Sequence, residues 1–596
     1  MRLRKTMKRT AAAVLALSMA VSAAAMPASA GFNIDMSKVD GDVEITQADD
    51  NGSAKVTIMV DGVNKTKDFS DGKEGNDVTI TGDNTKPAAT ESLNAAEENA
   101  DKNTSEVEKP GETGKSGEDE GDEPTSQELL APEDEQKKDE EKKDEQKPAE
   151  TQETEQDKKP TDQVLLCGQN DPEAQTEATK LDVKQETKEK KAAEEKSYEN
   201  NAPTSLSESV QAAANNVVKI INDSAKVLKV FLRDLKVDAG DTNKDAVTVS
   251  GTGNVTLELD GKNELKGGSY WSNDERSDSD LSGGHGLHAK GEGTLTIQDE
   301  DKNGSLTAAG GDVETSNLGF TMNGQWLNGG DGIRAKNLTV SGAELKAEGG
   351  DSNVTGTSDV MSGGGTGIRV DKGTAKLLDD AHITAKGGDG YTDNNKEASG
   401  GAGISIGANA EIEGVSISAT GGSAESKKYA GAGNAMNLYG NYGQYAVSMK
   451  DSTLELTGGD AKAEGEGNMG AVLSMMYHKE HILENLTLTA VQGKAEAPKL
   501  SFNGGTLYFN GGTREIGGNS TINLVGTRTD GVKAKDNTVV NLYVPKGETL
   551  KNSDSVDNIS TDETGKVNIY ENATTTKNED GSITVTGDLV GIKQDG

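Results

Sequence analysis

The chain of 596 residues is poor in most of what usually builds a compact core. It has one cysteine, Cys167, so no disulfide can form within it, and its stability has to come from packing or from a bound ion. Aromatic residues make up 3% of the chain, which excludes a conventional aromatic-rich core and points to a narrow aliphatic one. Proline is scarce at 11 residues. Glycine is abundant at 74, but no Gly-X-Y period runs through it, so the glycines mark turns rather than a collagen-like chain. Basic residues number 62 against 101 acidic ones, a formal net charge of −39. Phosphate recognition needs a basic patch, so this balance argues against nucleic acid as a partner, whereas it attracts metal cations.

Long apolar runs are also missing, with one exception at the start. Arg2, Arg4, Lys5, Lys8 and Arg9 form a basic head, an apolar run covers residues 11–25, and Pro27-Ala28-Ser29-Ala30 closes it with small residues. This is the pattern of a secretory signal peptide over residues 1–30, cleaved after Ala30. The run falls short of the roughly 20 residues that span a bilayer. The expected location is therefore secreted or at the outer cell surface, with no transmembrane segment left after cleavage and no C-terminal sorting motif, so retention there would depend on binding.

Residues 31–84 read as short strands with alternating β-branched positions, as in Asp42-Val43-Glu44-Ile45-Thr46 and Asp77-Val78-Thr79-Ile80-Thr81. Residues 85–204 change character. Blocks such as Glu133-Asp134-Glu135-Gln136-Lys137-Lys138 leave too little apolar surface to offset chain entropy, and a disordered acidic insertion is expected. Strand patterning resumes at Val217-Val218-Lys219-Ile220-Ile221. The first strands are therefore assigned to the first coil or cap of the domain that follows, over 205–596. The alternative is a separate small domain on a tether.

That domain is repetitive. One unit reads Gly332-Ile333-Arg334-Ala335, Asn337-Leu338-Thr339-Val340, then Glu344-Leu345-Lys346-Ala347-Glu348-Gly349-Gly350-Asp351. The next opens with Gly367-Ile368-Arg369-Val370 and closes on Gly387-Gly388-Asp389, and a third opens with Gly403-Ile404-Ser405-Ile406. The period is roughly 34 to 39 residues, in the solenoid range. Three short strands per unit, with Ile333, Ile368 and Ile404 stacked inward, predict an all-β chain: a right-handed parallel β-helix, or β-solenoid. Roughly ten repeats spaced about 4.8 Å apart would make a rod about 50 Å long. A β-sandwich would not repeat the same triplet in register.

The stretch Asn254-Val255-Thr256-Leu257-Glu258-Leu259-Asp260-Gly261, together with Gly293-Thr294-Leu295-Thr296-Ile297 and its successors, resembles the right-handed β-helix proteins called carbohydrate-binding domain-containing proteins, which occur on Gram-positive bacteria. The resemblance covers about residues 217–490. It implies polysaccharide binding, often with calcium, and carries no residue-level motif across.

Length variation is confined to one place, between the closing Gly-Gly and the next opening Gly, as at 269–284, 312–330, 351–365 and 389–401. In a solenoid these inserts line up, so a single ridge of loops is expected to carry function. Tyr270, Trp271, Trp326, Tyr391 and Tyr429 fall in or beside them, and flat aromatic faces suit sugar rings; the alternative is that the rings anchor the loops. Calcium is the candidate cofactor. Asp299, Asp301 and Asn303 match the start of a calcium loop, but position twelve is Gly310 rather than an acid, so an ordinary polar turn is the competing reading. His285 and His288 have metal-ligand spacing, yet as strand positions they would point to opposite sides. Arg334 and Arg369 occupy equivalent outward positions, where salt bridges to surface acids are the plain expectation. The functional expectation is non-catalytic binding of polysaccharide (plant cell wall, host glycan or bacterial envelope). The alternatives are an adhesin-like or structural protein and, behind both, a polysaccharide lyase or glycoside hydrolase.

Overall fold

A computed structural model describes residues 32–85 and 215–593, less 40, 51–52, 61–62, 69–77, 272–281, 317–324, 357–359, 441–442, 502–504, 512–513, 550–558 and 579. The signal-peptide assignment, Cys167 and the acidic insertion lie outside the described residues.

Almost every described element is a strand. Four long sheets contain them: a broad sheet of 20 strands, a flank sheet of 12, and two narrower sheets of 7 and 6. A fifth, of three short strands, lies near the C-terminus. The unit beginning at Ile333 shows how each repeat feeds the four long ones. Ile333–Ala335 joins the flank sheet. Leu338–Ser341 and Glu344–Glu348 join the broad sheet. Ser352–Thr355 joins the sheet of seven and Met361–Gly363 the sheet of six. Equivalent strands of successive repeats then pair in parallel, so that Ile333 sits on Ile368 and Ile368 on Ile404.

Alternation explains the core. In Ile333–Ala335, Leu338–Ser341 and Glu344–Glu348 the buried positions are Ile333, Ala335, Leu338, Val340, Leu345 and Ala347, each at most 2% exposed, and all belong to one continuous apolar cluster. Between the two broad-sheet strands the chain turns through left-handed backbone, at Gly342 (φ 64°), Asp379 and Asp380 (both 61°), Gly414 (66°), Asp451 (50°) and Asn485 (55°). Glycine, aspartate and asparagine are the residues that tolerate this region most readily, so one corner has the same chemistry in repeat after repeat.

The inserts line up along one edge as expected, but their described residues are mostly strands rather than loops. The outgoing strands pair in the sheet of seven and the returning ones in the sheet of six. Together they make a thin wing. The two sheets face one another across Val313, Leu327, Val354 and Val360, all at most 1% exposed, and further along across alanines such as Ala398, Ala424 and Ala430. The hydroxyl of Ser362 on the return sheet donates to the carbonyl of Ser352 on the outgoing sheet, at 2.7 Å. Sequence patterning misses these strands because two to four residues are too few for alternation to show.

The Gly-Gly pairs form the neck of the wing. Outgoing and returning glycines alternate in one hydrogen-bonded column, in which Gly330 N donates to Gly311 O, Gly350 to Gly330, Gly365 to Gly350, Gly388 to Gly365 and Gly401 to Gly388, each at 2.8 Å. A Cβ on any of these five donors would collide with a neighbouring glycine carbonyl, which is why the pairs recur.

The early strands belong to the same compact unit as the repeats. Val43–Asp50 pairs in parallel with Val218–Asn222, and Val78–Asp83 with Leu228–Asp238. The Asn84 side chain donates to the carbonyl of Asn216 at 2.8 Å, so the chain leaves and rejoins the stack at one point. Antiparallel strands flank the parallel stack at both ends, Ser53–Val60 with Val63–Asp68 at one and Ile583–Lys593 at the other, which limits open parallel edges.

Candidate functional site

The wing divides the candidate aromatics between two faces. On the outgoing sheet, backbone register puts Trp271, Glu314, Asn353 and Tyr391 in one column. Tyr270 is paired with Val313 beside it. The side chains of Tyr270 and Trp271 lie outside the described residues. Tyr391 points outward and is 39% exposed. On the return sheet, Trp326, Met361, Glu397 and Tyr429 form the equivalent column, and Trp326 is 38% exposed. Three strand spacings separate Trp326 from Tyr429, roughly 14 Å. Because the sheets share a core, Trp326 and Tyr391 face opposite ways and do not form one surface.

Each column borders a groove at the root of the wing. The outgoing groove, about 360 Å³, contains Tyr391, Glu425, Asp460, Lys462 and Lys494. The return groove, about 410 Å³, lies between the return sheet and the outer face of the flank sheet. Trp326, Asn328 and Ser399 line one wall, and His285, Asp331, Arg334 and Arg369 line the other.

Strand register builds that second wall. His288, Arg334, Arg369 and Ser405 occupy one outward column of the flank sheet. Asp371, two residues beyond Arg369 on the same face, accepts from the Nε of Arg334 and of Arg369, each at 2.9 Å. Burial works against the Asp371 carboxylate, but the two guanidinium groups outweigh it and hold its pKa below the ordinary value. The salt bridges expected for both arginines are therefore present, through one shared partner.

Below the arginines lies a second cluster. His285 and His288 do not point apart. The strand begins only at Leu287, the chain turns at Gly286, and the two rings meet edge to face with centroids 4.5 Å apart. Asp245 joins them, its Oδ2 2.9 Å from His288 Nδ1 and its Oδ1 accepting from His285 N–H at 2.9 Å. Burial alone would raise the Asp245 pKa, but the bond to His288 and the proximity of His285 hold it far below the usual carboxylate range. Burial lowers the pKa of His285, and Asp331 and Asp245 only partly oppose this. The His285 Nδ1 accepts the Asp331 N–H at 2.8 Å, which assigns the proton of the neutral ring to Nε2. Asp245, Asp331 and Asp371 belong to no sequence motif. The one available clue was positional, since Asp331 precedes Gly332 as His285 precedes Gly286.

The calcium-loop candidate folds as a self-satisfied turn. Asp299 is 4% exposed, and its oxygens accept from Asn303 N–H at 3.2 Å and Gly304 N–H at 2.8 Å. The Asn303 amide donates to Asp301 at 2.7 Å.

No protein-family model, curated protein or solved structure matches the chain.

Proposed function

We propose that the chain is an exported right-handed parallel β-helix that binds polysaccharide at the cell exterior without transforming it, and that the return groove is where the glycan lies. The observation that carries this reading is Trp326, an aromatic left 38% exposed at a groove whose other groups are polar. An indole face offers apolar area to a sugar ring, while Asn328, Ser399 and the guanidinium groups of Arg334 and Arg369 supply hydrogen bonds that fix its orientation. Repeat stacking adds a second support, because equivalent polar positions recur along the groove at the spacing of the strands.

The test is a glycan array probed with wild type, Trp326→Ala and Trp271→Ala, with and without calcium. The reading expects Trp326→Ala to abolish binding and Trp271→Ala, on the opposite sheet, to leave it intact. Unchanged binding in Trp326→Ala would sink the groove assignment. Release of unsaturated or reducing ends from the bound polymer would replace it with a lyase or hydrolase. A protein-binding role has one observation in its favour: Leu589, Val590 and Ile592 on the last strand are 52%, 55% and 57% exposed.

A further inference from the structure

The groove reading leaves the half-buried histidine–aspartate cluster at its end unused. Asp245, His285 and His288 each bring a ligand-competent atom to within 4.8 Å of the others, and among the described residues no other group of histidine, cysteine and carboxylate side chains does so. Asp331, 4% exposed, stands beside them with its Oδ2 3.7 Å from His285 Nδ1. We propose that this corner is a binding site for a divalent transition-metal ion of the zinc class, with Asp245, His285 and His288 as ligands and Asp331 as the adjoining carboxylate.

Three features of the cluster select the ion. Two imidazoles and a carboxylate suit zinc or its neighbours in the first transition row, whereas calcium prefers six or more oxygens. The Nδ1 sides of the two rings face the carboxylates, His288 toward Asp245 and His285 toward Asp331. The ligands are held in advance: the His285 N–H fixes Asp245, and the Thr366 N–H fixes Asp331 Oδ1 at 2.8 Å. Binding has three local competitors, the first being the Asp331 N–H that His285 Nδ1 accepts at 2.8 Å and must give up to ligate. The ion displaces the proton on His288 Nδ1 that bridges to Asp245, and that proton is taken up at Nε2 of the same ring. The ion also competes with Lys290, whose ammonium lies 3.0 Å from Asp245 Oδ2. Lys290 is 51% exposed in its side chain, so it can be removed without opening the core.

That competition supplies the test. The full chain, stripped with a chelator and kept in excess magnesium and calcium to occupy exposed carboxylates, is titrated with cobalt(II), and ligand-field absorption is followed. Wild type is expected to bind one equivalent with the intense visible bands of a four- or five-coordinate nitrogen–oxygen site, and zinc should bleach them. His288→Ala should lose the bands, and Lys290→Ala should bind several-fold more tightly because a competing cation is gone. Absence of the bands in wild type, their persistence in His288→Ala, or unchanged affinity in Lys290→Ala would each overturn the assignment. No glycan is present in the titration, so its failure leaves the groove reading standing, and failure of the glycan array leaves the metal site standing.

Discussion

Replacing Gly365 by alanine puts a methyl group where the neck of the wing has no room. Gly365 is buried, and its N–H and C=O are both used in the glycine column, donating to Gly350 and accepting from Gly388 at 2.8 Å each. The new Cβ would overlap the Gly330 carbonyl, which is backbone and cannot rotate away. Relief requires the returning segment to move out of the column and loosen both bonds. A buried backbone group left unpaired costs about 1–3 kcal/mol, so the substitution should cost about 2–5 kcal/mol. Gly414→Ala is the matched control. Gly414 has a positive φ of 66° but nothing within 4 Å of its ideal Cβ, so it carries only the backbone penalty, about 1 kcal/mol. Equilibrium urea unfolding of both variants measures the difference. If Gly365→Ala cost no more than Gly414→Ala, close approach would not be the reason for the glycine pairs, and the account of the neck would be wrong.

Two further outcomes follow from individual side chains. Glu455 lies on the outer face of the broad sheet, and its Oε2 is buried without a hydrogen-bond partner among the described residues. Burial pushes its pKa up, against the bonds it accepts from Ile583 N–H and Thr489. A carboxyl whose folded pKa is raised weighs against the fold when ionised, and this cost is relieved as pH falls through the folded value. Glu455→Gln should therefore raise stability at neutral pH by about 1 kcal/mol, with the advantage over wild type closing toward pH ~4; thermal melts across that range check both. At the Asp299 turn, where both carboxylate oxygens already accept backbone N–H groups, adding calcium to chelator-stripped protein should leave the melting temperature unchanged, and a clear rise that Asp299→Asn abolishes would restore calcium to that loop.

Some of this was open to sequence reading for plain physical reasons. The β class, the parallel stacking and the inward Ile333, Ile368 and Ile404 column follow from period-two alternation repeated at a fixed interval, and both are written along the chain. The excess of glycine also pointed to turns, and the corners at Gly342 and Gly414 are of that kind. The neck glycines answer to something else. Gly365 has no unusual backbone angle, and only the approach of Gly330 from the preceding repeat demands it.

The sequence by itself determined which residues alternate, where the repeats begin and end, and which segments are too polar to form a core, because each of these depends on neighbours along the chain. Tertiary structure alone decided that the inserts pair into a wing, since a three-residue strand is defined by its partners rather than by its own pattern. It also decided that Trp326 and Tyr391 face opposite ways, and that Asp245 meets two histidines 40 and 43 residues later in the chain. Such meetings are set by the turn at Gly286 and by the stacking of one repeat on the next, and no local stretch of sequence contains that information.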